Sequence, residues 1–392
     1  MGRLGSLLTL ALGLAIVVNV QNTFFIATYH PNGMDEDCRR LDLLGWNNHE
    51  DNGQHHCQAT KIEGRAPSKP LDLTQDSIDW PLEPPVVDTG CKVRFREENM
   101  ATCHVGAFGG NFGDLLGPSI VKRLLEYHTG CSAEALPVWD MADSPFRNNT
   151  EETYEARSTT CLWSVGSVWT KVRPNDHVWG TGTHGYRREF RTCLNQTTVD
   201  VHFHGVRGPK TVERMQKFCG KKLTTSYDEI ATHGDAGFLI PFLFPEYKVN
   251  PESAVKCYIE HYYDEGKQRT IPADAIALPV IQPWQTMVGN MTQCQQLVSS
   301  SLHGVILGDA FGIPTRWVTA SSSVLPFKFQ DYFASLKHNK PPFTSFEEAL
   351  SDTADWPEVL SSTERSSYAR RIVQNFPFDL FTTETLTAST SL

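Results

Sequence analysis

At 392 residues the chain is too long for one small core and suits two domains of ordinary size. Hydrophobic residues make up 40% and charged residues 20%, with 21 Phe, 9 Trp and 11 Tyr, which excludes disorder over most of the length. Acidic residues outnumber basic ones 45 to 35, for a net charge of −10, so wrapping of nucleic acid is excluded and an anionic ligand needs a local cluster of Arg and Lys.

An apolar run from Leu4 to Val20 follows Met1-Gly2-Arg3, and Phe24 to Tyr29 extends it. That length, without a clear small-x-small cleavage site, predicts an uncleaved signal anchor. Residues 1–6 then form a cytoplasmic tail and 7–28 a transmembrane helix, with a cleaved signal as the alternative. Either way the rest of the chain lies outside the cytosol. Sequons at Asn148, Asn195 and Asn290 agree with that.

The ten cysteines run from Cys38 to Cys294 without a CxxC or CxxH pair, so a zinc site has little support. A few disulfides and a set of buried small hydrophobes both stay open. Residues 29–98 read as an irregular lumenal stem with a candidate Cys38–Cys57 bridge. Within it, His55-His56-Cys57 reads as a solvated loop before it reads as a metal site.

From Ala101 the pattern alternates. Strands are expected at 101–108, Thr160 to Val165, His177 to Trp179, Val199 to His204, Lys256 to His261 and Gln296 to Ser299. A helix over Leu115 to His128 puts Leu115, Leu116, Ile120, Leu124 and Leu125 on one face and closes at Gly130. Another runs from Lys210 to Cys219. The alternation predicts parallel sheets covered by helices. Residues 351–392 read as an acidic, polar tail with one helix-like stretch, Ser361 to Gln374, and a flexible end.

Five segments carry candidate chemistry. Gly109 to Gly113 opens a helix whose N–H groups suit an anion, and Asp114 there can cap or bind a sugar hydroxyl. Its spacing is not G-x-G-x-x-G, so dinucleotide binding is not indicated. Gly180-Thr181-Gly182-Thr183-His184 follows a strand end, where α/β proteins bind ligands. Arg207 sits in a turn ahead of Pro209, as a candidate carboxylate or phosphate contact or a surface Arg paired with an acid. Ser299-Ser300-Ser301-Leu302-His303-Gly304 sets hydroxyls and a histidine at the start of an apolar helix, suiting phosphate and proton transfer near neutral pH. Glu260-His261-Tyr262-Tyr263-Asp264 ends another strand, facing a cleft or forming a polar turn. There is no G-x-S-x-G, P-loop or H-E-x-x-H.

Taken in order, these blocks resemble the polysaccharide pyruvyltransferase family. Asn111-Phe112-Gly113-Asp114 is similar to its N-x-G-D block, and Ser164 to Val168 with Val178 to Gly182 to its "GSil…vWGtG" pair. Val206 to Thr211 is similar to "vRGPlT", Gly234 to Pro241 to "GDPallLP", and Glu260 to Asp264 to "pHyvD". Ser299 to Gly304, with Ile306, Asp309, Ala310 and Gly312-Ile313-Pro314, resembles "SSSLHGlIladayGIP"; Phe329, Asp331 and Tyr332 resemble a "KFxDYy" closing block.

The resemblance implies a GT-B-like α/β fold, with two Rossmann-like domains facing a cleft at 99–215 and 216–355, then a helix and flexible tail at 356–392. It implies transfer of the enolpyruvyl group of phosphoenolpyruvate to two hydroxyls of a sugar such as galactose, as a ketal, with release of phosphate. No cofactor is expected and no metal-site residue is assigned, while the need for a divalent metal stays open; the partners are phosphoenolpyruvate, a glycan or polysaccharide acceptor, and a Golgi or ER membrane reached through the N-terminal helix. By that resemblance His303 is the catalytic proton-transfer residue, and Arg207, Ser300, Ser301, Leu302 and Gly304 bind the donor. Asn111, Asp114, His184 and His261 face the cleft or the acceptor. Some members carry Arg where Ser301 stands, so Arg187, Arg188 or Lys210 is expected to compensate. The helix dipole would push the His303 pKa down and a bound anion would push it up. The alternatives are a GT-B nucleotide-sugar glycosyltransferase and a non-catalytic carbohydrate-binding relative.

Overall fold

The structure, a computed structural model, describes the backbone of four N-terminal strands and residues 80–105, 110–140, 158–262, 274–319, 326–351, 356–357 and 359–386. Asn148, Tyr263, Asp264 and the candidate Cys38–Cys57 bridge lie outside what is described.

Residues 1–66 form one unit. In it β1 (Ala15–Val20) pairs antiparallel with β2 (Thr23–Thr28), and β3 (Trp46–Asp51) with β4 (Gln54–Ala59). The sequence predicts a helix across 7–28, yet its described residues form a hairpin rich in Val, Ile, Phe and Thr, types that favour strands. Among the described residues no helix is long and apolar enough to cross a membrane. The His55-His56-Cys57 run likewise belongs to a paired strand, not a loop.

The second unit, residues 67–392, is a mixed α/β structure built on two parallel sheets. Its strands in chain order are β5 (Asp88–Phe95), β6 (Met100–His104), β7 (Cys131–Ser132), β8 (Val138–Asp140), β9 (Thr160–Trp163), β10 (His177–Trp179) and β11 (His202–Gly205). They are followed by β12 (Lys256–Ile259), β13 (Ala275–Ala277), β14 (Gln296–Ser299), β15 (Thr315–Trp317) and β16 (Phe381–Thr385). One parallel sheet has the order β11-β10-β9-β6-β8 and the other β13-β12-β14-β15. The expected strands at 160, 177, 256 and 296 all form; those at 177 and 296 keep their expected bounds, and those at 160 and 256 end two residues early, where site loops begin.

The helices that matter here are α1 (Leu116–Thr129), α2 (Pro209–Cys219), α3 (Trp284–Met291), α4 (Leu302–Phe311), α5 (Pro326–Ser335) and α6 (Ser362–Gln374). The α1 stripe of Leu116, Ile120, Val121, Leu124 and Leu125 is fully buried, and Gly130 ends the helix in the left-handed region at φ 72°, its N–H on the Glu126 carbonyl. Every residue of α4 is buried, which matches its largely apolar sequence.

Two expected boundaries move. Residues 88–95, assigned to the stem, are β5, which pairs with β7 and β16 and buries Val93 and Phe95. The helix expected at Ser361 to Gln374 forms, and part of the end assigned as flexible folds back as β16. Ser361 and Glu364 form a capping box for α6, whose Tyr368, Ala369, Ile372 and Val373 are buried, and β16 then pairs antiparallel with β5. The Trp179 Nε1 of the first sheet donates to the Ile372 carbonyl at 2.9 Å, so α6 is part of the core that supports the site.

Eight cysteines form disulfides: Cys91–Cys131, Cys103–Cys161, Cys193–Cys219 and Cys257–Cys294. Cys103–Cys161 joins the neighbouring strands β6 and β9, and Cys91–Cys131 joins β5 to β7.

Candidate active site

A cleft of about 210 Å³ is lined by residues that follow the carboxyl ends of β6, β9, β10, β12 and β14, so both parallel sheets contribute. Ligands of parallel α/β proteins bind at such ends, because the loops leaving the strands are free to vary over a rigid base. Asn111 and Asp114 come from the loop after β6, and Ser167 and Lys171 follow β9. His184 follows β10, His261 and Tyr262 follow β12, and Ser301, Leu302 and His303 follow β14. Lys328 reaches in from α5.

His303 is buried, 7% exposed, and its Nε2 has no hydrogen-bond partner. A side chain at Gly113 would collide with the imidazole, so the glycine of the N-x-G-D block makes room for a histidine nearly two hundred residues away. Burial, then the charges of Lys328 and Arg207, push the His303 pKa down to about 3. The expected helix-dipole contribution is thus not the leading cause; enclosure favours the neutral ring.

Asp114 moves the opposite way. Burial pushes its carboxyl up to about 7 against the opposing charge of Lys328.

The serine loop is internally bonded. The Ser300 Oγ accepts from the His261 N–H at 2.8 Å, and the Ser299 Oγ accepts from the Ser301 N–H at 3.0 Å. Ser301 and Leu302 line the cleft; Ser300 and Gly304 sit behind them, and a side chain at Gly304 would strike Ser299.

Arg207 does not line the cleft. It has no exposed surface; its Nε donates to Asp331 Oδ2 at 3.0 Å, Nη1 to Ser167 Oγ at 2.8 Å and Nη2 to the Thr183 carbonyl at 2.7 Å. Its contact with the cleft is one step removed, through Ser167. The expected compensating cations Arg187 and Arg188 are exposed and, with Lys210, lie outside the cleft lining. Lys328 and Lys171 stand there instead, and neither was singled out from the sequence. The only signal for Lys328 was its position one residue before Phe329 in the closing block.

His184 is 41% exposed, and its Nδ1 lies 2.6 Å from Glu189 Oε1. Glu189, 3% exposed, accepts from the Thr183 hydroxyl and from the N–H groups of His184, Gly185 and Tyr186 at 2.9–3.2 Å. Burial alone would raise its pKa; the bonds and charge of His184, with the hydroxyl of Thr183, hold it below the usual carboxylate value. Glu189 lies five residues beyond His184 across an irregular turn, a spacing with no periodic signal.

Asn195 and Asn290 are exposed, as glycan attachment requires. Among the described residues no group of three or more His, Cys, Asp or Glu is arranged to hold a metal ion.

No protein family matches the chain, and no solved structure does. Over 214 residues, covering 50% of this chain and 69% of the relative, it is 27% identical to the uncharacterized protein L143 of Acanthamoeba polyphaga mimivirus.

Proposed function

We propose that the chain is a pyruvyltransferase that moves the enolpyruvyl group of phosphoenolpyruvate onto two hydroxyls of a sugar. The observation that carries this reading is the convergence, in one cleft, of a buried histidine with an unpartnered Nε2, two lysines and a carboxyl whose pKa burial raises. A small trianion needs such cations, and an enol ether needs an acid at its C3. The two parallel sheets whose carboxyl ends share the cleft are consistent with the two halves of a GT-B-like fold.

In this reading Lys328 and Lys171 attract the phosphate and carboxylate, while Ser301 and the first N–H groups of α4 offer hydrogen bonds. Arrival of the trianion opposes the effect of Lys328 and Arg207 on His303 and restores its charge. His303 then protonates C3, C2 becomes cationic, and a sugar hydroxyl adds there. The C2–O bond to phosphate breaks and the second hydroxyl closes the ketal. One proton ends on C3 and one on phosphate, so the two hydroxyl protons are accounted for. Asp114, whose carboxyl burial raises to about 7, is a second cleft group able to give a proton. Four disulfides and exposed sequons at Asn195 and Asn290 support a secretory setting, with the catalytic part in the lumen of the Golgi or ER and the apolar N-terminus as anchor.

The test mixes the protein with phosphoenolpyruvate and a panel of α- and β-galactosides, following phosphate and the acceptor's mass. Acceptor-dependent phosphate with a pyruvate ketal on the sugar is the expected result. No phosphate, with binding of a UDP- or GDP-sugar that phosphoenolpyruvate does not displace, would replace this reading with nucleotide-sugar glycosyl transfer.

A further inference from the structure

We infer that His184 is the base that takes the proton from the attacking sugar hydroxyl, and that Glu189 is its positioning residue; this rests on the pyruvyl-transfer reading above. Three observations carry it. The first is orientation. With Nδ1 donating to Glu189 Oε1 at 2.6 Å, Nε2 is left as the ring's acceptor, on a side chain that lines the cleft.

The second is rigidity. Glu189 cannot be the base itself, since it is almost fully buried and its oxygens are taken up by Thr183, His184, Gly185 and Tyr186. Those same bonds hold the carboxylate charged and fixed, which is what a residue that orients a histidine must be.

The third is access. His184 is half-buried, its side chain 41% exposed, while His303 is buried, so the cleft has an enclosed end and a more open end. A small donor fits the enclosed end beside His303 and Lys328; a sugar within a glycan has to enter from solvent, past His184.

The proton balance is simple. The first hydroxyl gives its proton to Nε2 as its oxygen bonds to C2, and that proton departs on phosphate when the C2–O bond breaks. The second hydroxyl's proton goes to Nε2 and returns through solvent to the acid.

The experiment compares wild type, His184→Ala and Glu189→Gln in acceptor-dependent phosphate release, with phosphoenolpyruvate binding measured separately by calorimetry. For His184→Ala, turnover should fall about 10²- to 10⁴-fold with donor binding unchanged, and added imidazole should restore part of it. For Glu189→Gln, kcat should fall, the acid limb of its pH profile should be displaced, and KM for phosphoenolpyruvate should hold. An inactive wild type overturns the pyruvyl reading and this inference together. An active wild type with an equally active His184→Ala overturns only the inference, as does a loss that imidazole does not restore.

Discussion

The Nε of Arg207 lies 3.0 Å from Oδ2 of Asp331, and neither side chain has any exposed surface. The two residues are 124 positions apart, so the pair ties the turn before α2 to helix α5, which carries Lys328 into the cleft. Asp331 also accepts from the Thr211 N–H and hydroxyl at 2.9 and 2.7 Å, so its oxygens are committed. A side chain at Gly182 would overlap the guanidinium, which shows how tightly the arginine is enclosed.

Arg207 therefore acts first on stability. Removing one partner of a buried pair leaves the other charge uncompensated, which costs roughly 3–5 kcal/mol. Arg207→Ala and Asp331→Ala should each lower the urea midpoint by a comparable amount, and the double variant should lose much less than their sum. Additive losses would show that the two side chains do not depend on each other.

Lys328 is the cation expected to govern donor affinity. It is 7% exposed and lines the same cleft as His303. A charged hydrogen bond is worth about 1.5–3 kcal/mol, so Lys328→Ala should weaken phosphoenolpyruvate binding roughly 10- to 100-fold. Arg187→Ala and Arg188→Ala, outside the cleft, should leave it unchanged. Calorimetric titration of the three variants distinguishes these positions.

The cleft also predicts two opposite pH dependences. Asp114 is pushed up to about 7 by burial, against about 4 in an unfolded chain. Between those values the folded protein binds the extra proton, so this group's contribution to stability is lost as pH rises from about 4 through about 7. His303, pushed down to about 3 by burial, behaves in reverse: the unfolded chain binds the extra proton, and stability is lost as pH falls from about 6.5 through about 3. Relative to wild type, Asp114→Asn should gain stability as pH rises through that window, and His303→Gln as pH falls through its own. Urea melts across pH 3–8 measure both slopes; a flat Asp114→Asn difference would mean an ordinary carboxylate value.

The C-terminal segment should be indispensable to the site. Ile372 is fully buried, and its carbonyl takes the Trp179 indole N–H at 2.9 Å. Ile372→Ala should cost about 2–5 kcal/mol, read as a lower denaturation midpoint. Deleting residues 362–386 removes α6 and β16 together and should leave β5 without one of its two partners, with loss of soluble folded protein. A soluble, cooperatively melting truncation would show the first sheet to be closed without α6.

Much of this protein is written locally. The alternation of short apolar runs with amphipathic stretches defines β9, β10, β12, β14, α1, α2 and α6 within a residue or two, because burial on one face imposes a period that neighbouring residues already carry. The loops that follow strand ends were legible for the same reason, and Asn111, Asp114, His184, His261 and His303 do converge in one cleft. What the chain order does not encode is which distant group meets a given charge. Arg207 reads either as a ligand contact or as an arginine paired with an acid until Asp331 is seen beside it, and Lys328 stands out only once α5 brings it into the cleft. The pairing of β16 with β5, the partners of eight cysteines and the His184–Glu189 contact belong to the same class. Their energies depend on distance and on exclusion of water, and both exist only once the two sheets have been folded and covered.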